Sequence, residues 1–333
     1  MTSGEPAMAE VGEPILDPDL EILDSHHHLW EAHEPPYLLA DLLADCASGH
    51  RVTTTIFVEC GWGVDHQATP PQFGPVAEVA LAVETAAESR RLGQAEIAAV
   101  IGHADLRYGN EAGAVLDALA AKGNGLFVGI RQVSAWDPAT EISDHPSKPG
   151  RRLLGRSDFL RGFGQLAARG LTFDAWLYHP QLPELVSLAR AFPEVRIIVN
   201  HLGGPLDVGP YANRRQEVHD HWRSSMTALA LCPNVCVKLG GIAMSALAGS
   251  PLDDTLSSQQ LVQRWGGQIR WCIEQFGVER CMFESNFPVD KRQTSYVSLW
   301  NAFKMMVAGA SSAEKSALFR ETARTVYGLR GSS

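Results

Sequence analysis

The sequence has no apolar run approaching the roughly 18 residues of a membrane-spanning helix, so none is expected. It has no basic block: 28 Lys and Arg face 38 Asp and Glu, and a formal charge of −10 makes nucleic acid a poor partner. It has no CxxC pair. Six cysteines, at 46, 60, 232, 236, 272 and 281, are scattered, and only Cys232 and Cys236 lie close, around Pro233-Asn234. A zinc knuckle would need two more ligands at suitable spacing, so reduced, buried thiols of a cytoplasmic enzyme are the expectation. Residues 1–20 are rich in Glu, Asp, Pro and Gly and lack a basic leader and an apolar core, which argues against a secretory signal and for a partly disordered tail. No GxGxxG follows the first apolar run, which weakens a doubly wound sheet, and no repeat of 20–50 residues suggests a solenoid.

What is present is a chain of 333 residues, 45% hydrophobic and 20% charged, able to bury a full core. Eight short apolar runs read as strands: the run from Ile22, then Val52–Cys60, Ile97–His103, Leu126–Arg131, Leu171–Tyr178, Val195–Asn200, Val235–Leu239 and Arg280–Glu284. Segments at helical spacing separate them: Tyr37–Cys46, Val76–Leu92, Gly113–Ala121, Phe159–Arg169, Leu182–Phe192, His219–Leu231 and Leu261–Phe276. Two more helices, near Tyr296–Ala308 and Ala313–Tyr327, close the chain. Such alternation implies parallel pairing through helical crossovers, and eight units predict a single (β/α)8 barrel over residues 21–330. The long polar stretch Gln132–Asp158 reads as a lid or a disordered loop.

In such a barrel the C-terminal strand ends form the active site. There the sequence places His26 and His28, Glu59, His103, Arg131, Tyr178 or His179, His201, Lys238 and Asn286. Alternation predicts Asp24, His26 and His28 on one face of the first strand, with His27 on the other, toward the helices. Arg131 and Lys238 suit an anionic group, the Gly-Gly-Pro after His201 allows close backbone approach, and Trp30 and Trp62 are candidate pocket walls. Arg151-Arg152, Asp290 and Lys291 read as loop charges.

The ordered pieces Asp24-Ser25-His26-His27-His28-Leu29-Trp30, Gly129-Ile130-Arg131, Leu171-Thr172-Phe173-Asp174, Asn200 to Pro205, Asn234 to Gly241, Phe276 to Arg280 and Met282 to Val289 carry a likeness. Over about Ile22 to Leu329 the chain resembles the amidohydrolase-2 family of the amidohydrolase superfamily, near its sugar-lactonase and pyrone-dicarboxylate lactonase branch. The resemblance implies hydrolysis of a lactone or related carbonyl compound. It implies a strand-one histidine pair, histidines after strands five and six, and an acid after strand eight. These hold a divalent metal in some members and work without one in others. Carried onto this chain, the metal set is His26, His28, His179 and His201, with zinc the first choice and metal-free catalysis the alternative.

The chain departs from that pattern where the strand-eight acid is expected, at Asn286. An amide cannot take a proton from water. Two replacements are open: Glu284, expected on the same strand face about 7 Å deeper, and Glu59 at the mouth of strand two. The reading is a hydrolase in which His26, His28, His201 and Glu284 or Asn286 work on the bond. Arg131, Lys238, Glu59, His179, Tyr178 and Trp30 would contact a small anionic substrate, with self-association open. The rivals are a metal-dependent decarboxylase of an aromatic or unsaturated acid, and an impaired barrel that only binds a ligand.

Overall fold

A computed structural model describes residues 12–142, 147–248 and 255–329. Eight strands pair in parallel in the order of the chain: β1 (Glu21–His27), β2 (Arg51–Val58), β3 (Glu96–Gly102), β4 (Phe127–Arg131), β5 (Thr172–Ala175), β6 (Ile197–Val199), β7 (Val235–Leu239) and β8 (Cys281–Phe283). The helices between them are α1 (Leu39–Cys46), α2 (Pro75–Leu92), α3 (Ala112–Gly123), α4 (Ser157–Ala167), α5 (Leu182–Ala191), α6 (Arg215–Ala230), the short α7 (Ser245–Ala248) and α8 (Ser258–Phe276). The chain closes with α9 (Tyr296–Met306), α10 (Ser312–Ser316), a π-helical turn (Ala317–Glu321) and α11 (Thr322–Val326). This is the expected (β/α)8 barrel. Several strands are shorter than their apolar runs, because the final residues bend away to form the mouth.

The seam between β8 and β1 closes just beyond the end of β8. The Ser25 hydroxyl donates to Phe283 O at 2.8 Å, Ser285 N to Asp24 Oδ1 at 2.8 Å, Asn286 N to His26 O at 2.9 Å and His28 N to Phe287 O at 2.8 Å. Residues that shape the mouth therefore also close the barrel.

Buried apolar side chains form two layers and a third, small cluster of Val133, Ala135, Ile142, Tyr178 and Leu206. The larger lies between strands and helices and includes Phe57, Phe159, Phe163, Phe173, Trp222, Trp300 and Phe303. A smaller one fills the barrel interior with Leu23, Ile56, Val58, Ala99, Ile101, Ile198, Cys236 and Met282, closed by Ala323, Val326 and Tyr327 of the last helical segment. Arg196 ties that segment down by donating to Thr325 O and Val326 O, both at 3.2 Å. All six cysteines are free thiols. Of the expected tail, residues 1–11 lie outside the described residues. The next few are docked: Glu13 accepts from Ser258 N at 2.9 Å, and Lys304 donates to Leu16 O and Asp17 O. His145 in the long polar stretch also lies outside the described residues.

Candidate active site

The first strand does not alternate as expected. A register shift between Asp24 and His27 breaks the period, so Asp24 turns to the helix side, where Tyr296 of α9 donates to Oδ2 at 3.0 Å. Past the shift His26 faces inward and His27 outward. His27 Nε2 lies 3.2 Å from Thr55 Oγ1, and its ring packs edge-on against Phe57. His28 faces inward again, with Nδ1 2.8 Å from Val58 O, the lone pair of the carbonyl fixing that nitrogen as the protonated one.

Three imidazoles and one carboxylate meet at the centre. The rings of His28 and His201 each stand 4.8 Å from the ring of His26. His201 donates to Glu284 Oε1 twice, from Nδ1 at 2.7 Å and from its backbone N–H at 3.1 Å. Glu284 Oε2 lies 2.8 Å from His26 Nδ1, yet this buried oxygen has no aligned hydrogen-bond donor. Candidate ligand atoms of His26, His201 and Glu284 fall within 4.8 Å of one another. His26 Nε2 and His28 Nε2 are 3.1 Å apart, a spacing that calls for a shared proton or a cation between two nitrogens.

The backbone is shaped around this cluster. A Cβ on Gly240 would come within 2.3 Å of both Cγ and the backbone oxygen of Glu284, and one on Gly241 within 2.4 Å of His201 Nδ1. The two glycines after β7 thus leave the room that Glu284 and His201 occupy. His201 and Leu202 adopt left-handed backbone angles (φ 52° and 55°), which turn the β6 loop and direct the imidazole inward.

The two cations of the interior are already engaged. Arg131 donates from Nε to Glu59 Oε1 at 2.6 Å and from Nη2 to Glu59 O, leaving Nη1 3.3 Å from His26 Nε2. It therefore offers a single amino group to a ligand, less than the anion-binding role expected of it from sequence. Lys238, fully buried, pairs with Asp174 at 2.8 Å and lies 3.5 Å from His26 Nδ1, so it sits beneath the imidazole rather than in the mouth.

Other sequence candidates lie elsewhere. His179 stands in a 3-10 turn after β5, where Nδ1 accepts from Leu206 N at 3.3 Å and the ring packs on Tyr211 and His221, apart from the three imidazoles. Tyr178 packs against Trp176, and it is Trp176 that meets the His201 ring, edge-on at 4.7 Å. Trp30 stacks near His28 and donates to Pro35 O. His103 Nδ1 is 3.0 Å from Arg131 O. Asn286 does not share a face with Glu284: β8 ends at Phe283, Asn286 has φ 55°, and its amide donates to Asp290 Oδ1 at 2.8 Å. Asp290, read from sequence as a loop charge, is fully buried and also accepts from Ala243 N. Burial pushes its carboxyl up to about 8, with the charge of Glu284 adding to the effect. Sequence reasoning missed Asp174, Trp176, Asp290 and Tyr327. Only Asp174 and Trp176 carried a signal, being spaced by two along the fifth strand.

Burial holds His26 and His28 well below the ordinary imidazole range; Lys238 contributes next for His26, and Arg131 for His28. Both are neutral imidazoles at physiological pH. His27, outside the cluster, is lowered to about 3 by burial. The unfolded chain binds a proton there near pH 6.5 and the folded chain does not, so this group penalises the native state increasingly as pH falls from 6.5 toward 3. The stability advantage of the parent over His27→Gln should accordingly shrink by about 2 kcal/mol between pH 7 and pH 5, at ~1.4 kcal/mol per unit. Urea unfolding of both proteins at the two pH values measures this; a constant gap would contradict it.

A family model described as Amidohydrolase matches residues 23–329. An uncharacterised protein, y4mH, of Sinorhizobium fredii is 32% identical over 93% of this chain and 99% of its own. An L-fucono-1,5-lactonase of Burkholderia multivorans is 25% identical over 92% of this chain and 96% of its own. Among solved structures, an amidohydrolase from Burkholderia multivorans with bound zinc superposes with a TM-score of 0.71 at 22% identity, covering 93% of this chain and 99% of that one. With the family model spanning nearly the whole barrel, this chain belongs to the amidohydrolase family.

Proposed function

We propose that the protein hydrolyses the ring ester of a small, neutral, sugar-type lactone. The observation that carries the reading is the pairing of one buried carboxylate, Glu284, with two of three clustered imidazoles, while both neighbouring cations are neutralised internally. The orphaned Glu284 Oε2, with ligand atoms of His26 and His201 within 4.8 Å, fits a divalent cation. His26, His201 and Glu284 would hold it, with His28 on the far edge of the His26 ring as a further nitrogen beside the site, and zinc suits imidazole and carboxylate donors. Such an ion polarises a carbonyl and acidifies water. The zinc in the Burkholderia multivorans amidohydrolase is consistent with that choice.

The chain's own groups supply the rest. Glu284 fixes the imidazoles; with Oε1 accepting twice from His201, Oε2 is the oxygen left to hold the cation or to take a proton from water. Arg131 Nη1 stands 3.3 Å from His26 Nε2, and its second N–H would donate to the carbonyl oxygen as negative charge builds on it. Trp176 beside His201 and Trp30 beside His28 form apolar walls that limit solvent.

The charge arrangement bears on substrate class, against the anionic partner anticipated from sequence. Lys238 is spent on Asp174 and Arg131 largely on Glu59, so among the described residues touching the imidazoles no uncompensated cation faces the mouth. A dicarboxylated lactone or an aromatic acid would set its charges against Glu284 and Glu59. The L-fucono-1,5-lactonase likeness points the same way. A panel of aldonolactones and carboxylated lactones, followed by acid release with zinc-loaded protein, tests this. Neutral lactones should show kcat/KM at least about tenfold above carboxylated ones. Faster turnover of a carboxylated lactone, or carbon dioxide from an aromatic acid, would overturn it.

A further inference from the structure

We propose that Tyr327, at the end of the C-terminal helical segment, is a positioning residue for His26, acting through Asp174 and Lys238. The inference rests on His26 belonging to the working site but not on the identity of the lactone.

Tyr327 enters the barrel interior opposite the mouth. Its hydroxyl donates to Asp174, 3.0 Å from Oδ1 and 3.1 Å from Oδ2. Asp174 Oδ2 also accepts from Asn200 Nδ2 at 2.9 Å and from Lys238 Nζ at 2.8 Å. Lys238 continues to His26 Nδ1 at 3.5 Å, and its ammonium stands 5.3 Å from the centre of the Tyr327 ring. Tyr327 thus acts on Lys238 twice, through its π face and through the carboxylate the ammonium is paired with.

A purely structural plug would not be built this way. The layer that Tyr327 packs into is otherwise apolar, made of Leu23, Ile56, Val58, Ala99, Ile101, Ile198, Cys236 and Met282. Phenylalanine would fill the same space there. A buried ion pair often fails to repay its desolvation against well-packed apolar side chains, so one kept here asks for a role beyond packing, and fixing the arrangement beside His26 supplies it. Alternation along β7 and β5 brings the pair inward: Cys236 and Lys238 are two apart, as are Asp174 and Trp176. The ion pair therefore lies between the apolar floor and the imidazoles, where it determines how the ammonium meets the lower edge of His26. With the hydroxyl gone, Asp174 loses a donor and draws Lys238 toward itself, and His26 loses its support from below.

The test is Tyr327→Phe in the full chain, which keeps the ring and removes only the hydroxyl. In metal-free protein the ¹⁵N signals of the His26 ring should shift from their parental positions, while the melting temperature stays within a few degrees. Zinc affinity, by competition with a chromophoric chelator, should fall about tenfold. With a turned-over lactone, kcat should fall about tenfold or more while KM changes less than twofold. The double variant Lys238→Met/Asp174→Asn removes the ion pair without a net change in charge and should reproduce the shifted His26 signals. Parental His26 signals and parental zinc affinity in Tyr327→Phe would overturn the proposal. So would a lowered melting temperature with both readouts unchanged. If no lactone is hydrolysed by the parent protein, the metal-free spectra and zinc competition still decide the role of Tyr327.

Discussion

Glu284→Gln is expected to lower turnover by about a thousandfold, the scale for losing a preorganised charged group at a reacting centre. Bound zinc should fall well below one ion per chain, since outer and inner carboxylate partners of imidazole ligands tune affinity by about ten- to a hundredfold. The side chain is fully buried, and its oxygens lie 2.7 Å from His201 Nδ1 and 2.8 Å from His26 Nδ1. An amide at 284 could keep the bond from His201 Nδ1, but its NH₂ would replace the oxygen that faces His26 Nδ1, removing both the negative charge and the ligand atom on that side. Asn286→Asp is the informative contrast. It restores the acid at the position where the family resemblance expects one, yet should not raise activity. The new carboxyl would lie beside Asp290, which now accepts from the Asn286 amide at 2.8 Å, and two buried acids at that spacing cannot both ionise, so the added group stays tied up in a proton-sharing pair instead of acting as a base. Metal content by elemental analysis and kcat on the best lactone check both variants. Full activity in Glu284→Gln would remove Glu284 from the mechanism.

The second large effect is expected at a residue with no functional group. Gly241→Ala should cost about 2–4 kcal/mol, combining overpacking with a left-handed backbone angle that disfavours any Cβ. At φ 63° the new methyl group would stand 2.4 Å from His201 Nδ1 and 2.7 Å from His201 Cβ. At ~2–4 °C per kcal/mol for a chain of this class, the melting temperature should drop by about 5–15 °C. Because the clash falls on a cluster imidazole, zinc affinity should fall with it. Gly170→Ala is the matched control. It has the same sign of φ, 62°, but nothing within 4 Å of the added Cβ, so only the conformational term of about 1 kcal/mol applies. Equal losses in the two variants would show that backbone strain, not the space kept for His201, governs position 241.

The barrel was legible because its signal is distributed: eight apolar runs and the intervening helices repeat one pattern, and no single residue decides it. The imidazoles were legible for the same reason, since strand ends are where such a barrel collects chemistry. The errors came where one backbone step broke the period. A register shift in β1 sent Asp24 to the helix side, and the left-handed Asn286 separated it from Glu284. Neither break leaves a mark in composition: the first is set by the register of β1 against β2, where Asp24 lies opposite Thr55 and His27 opposite Phe57, and the second by the bond from Asn286 N to His26 O. Charge compensation was hidden for a related reason. Arg131 and Lys238 look like free cations in sequence, and only three-dimensional placement reveals Glu59 and Asp174 as their counter-ions. Tyr327 read simply as the end of a helix, because nothing local says that its hydroxyl crosses the floor of the barrel.

The space above Gly240 has a consequence for substitution. A side chain at 240 would meet the backbone oxygen of residue 284 at 2.3 Å as well as the Glu284 Cγ, so the bare backbone is demanded by the path of the chain and not by the acid alone. Shortening the side chain at 284 would therefore not make room for an alanine at 240: the wall of the barrel is set by its main chain, and the acid is fitted into what that wall leaves.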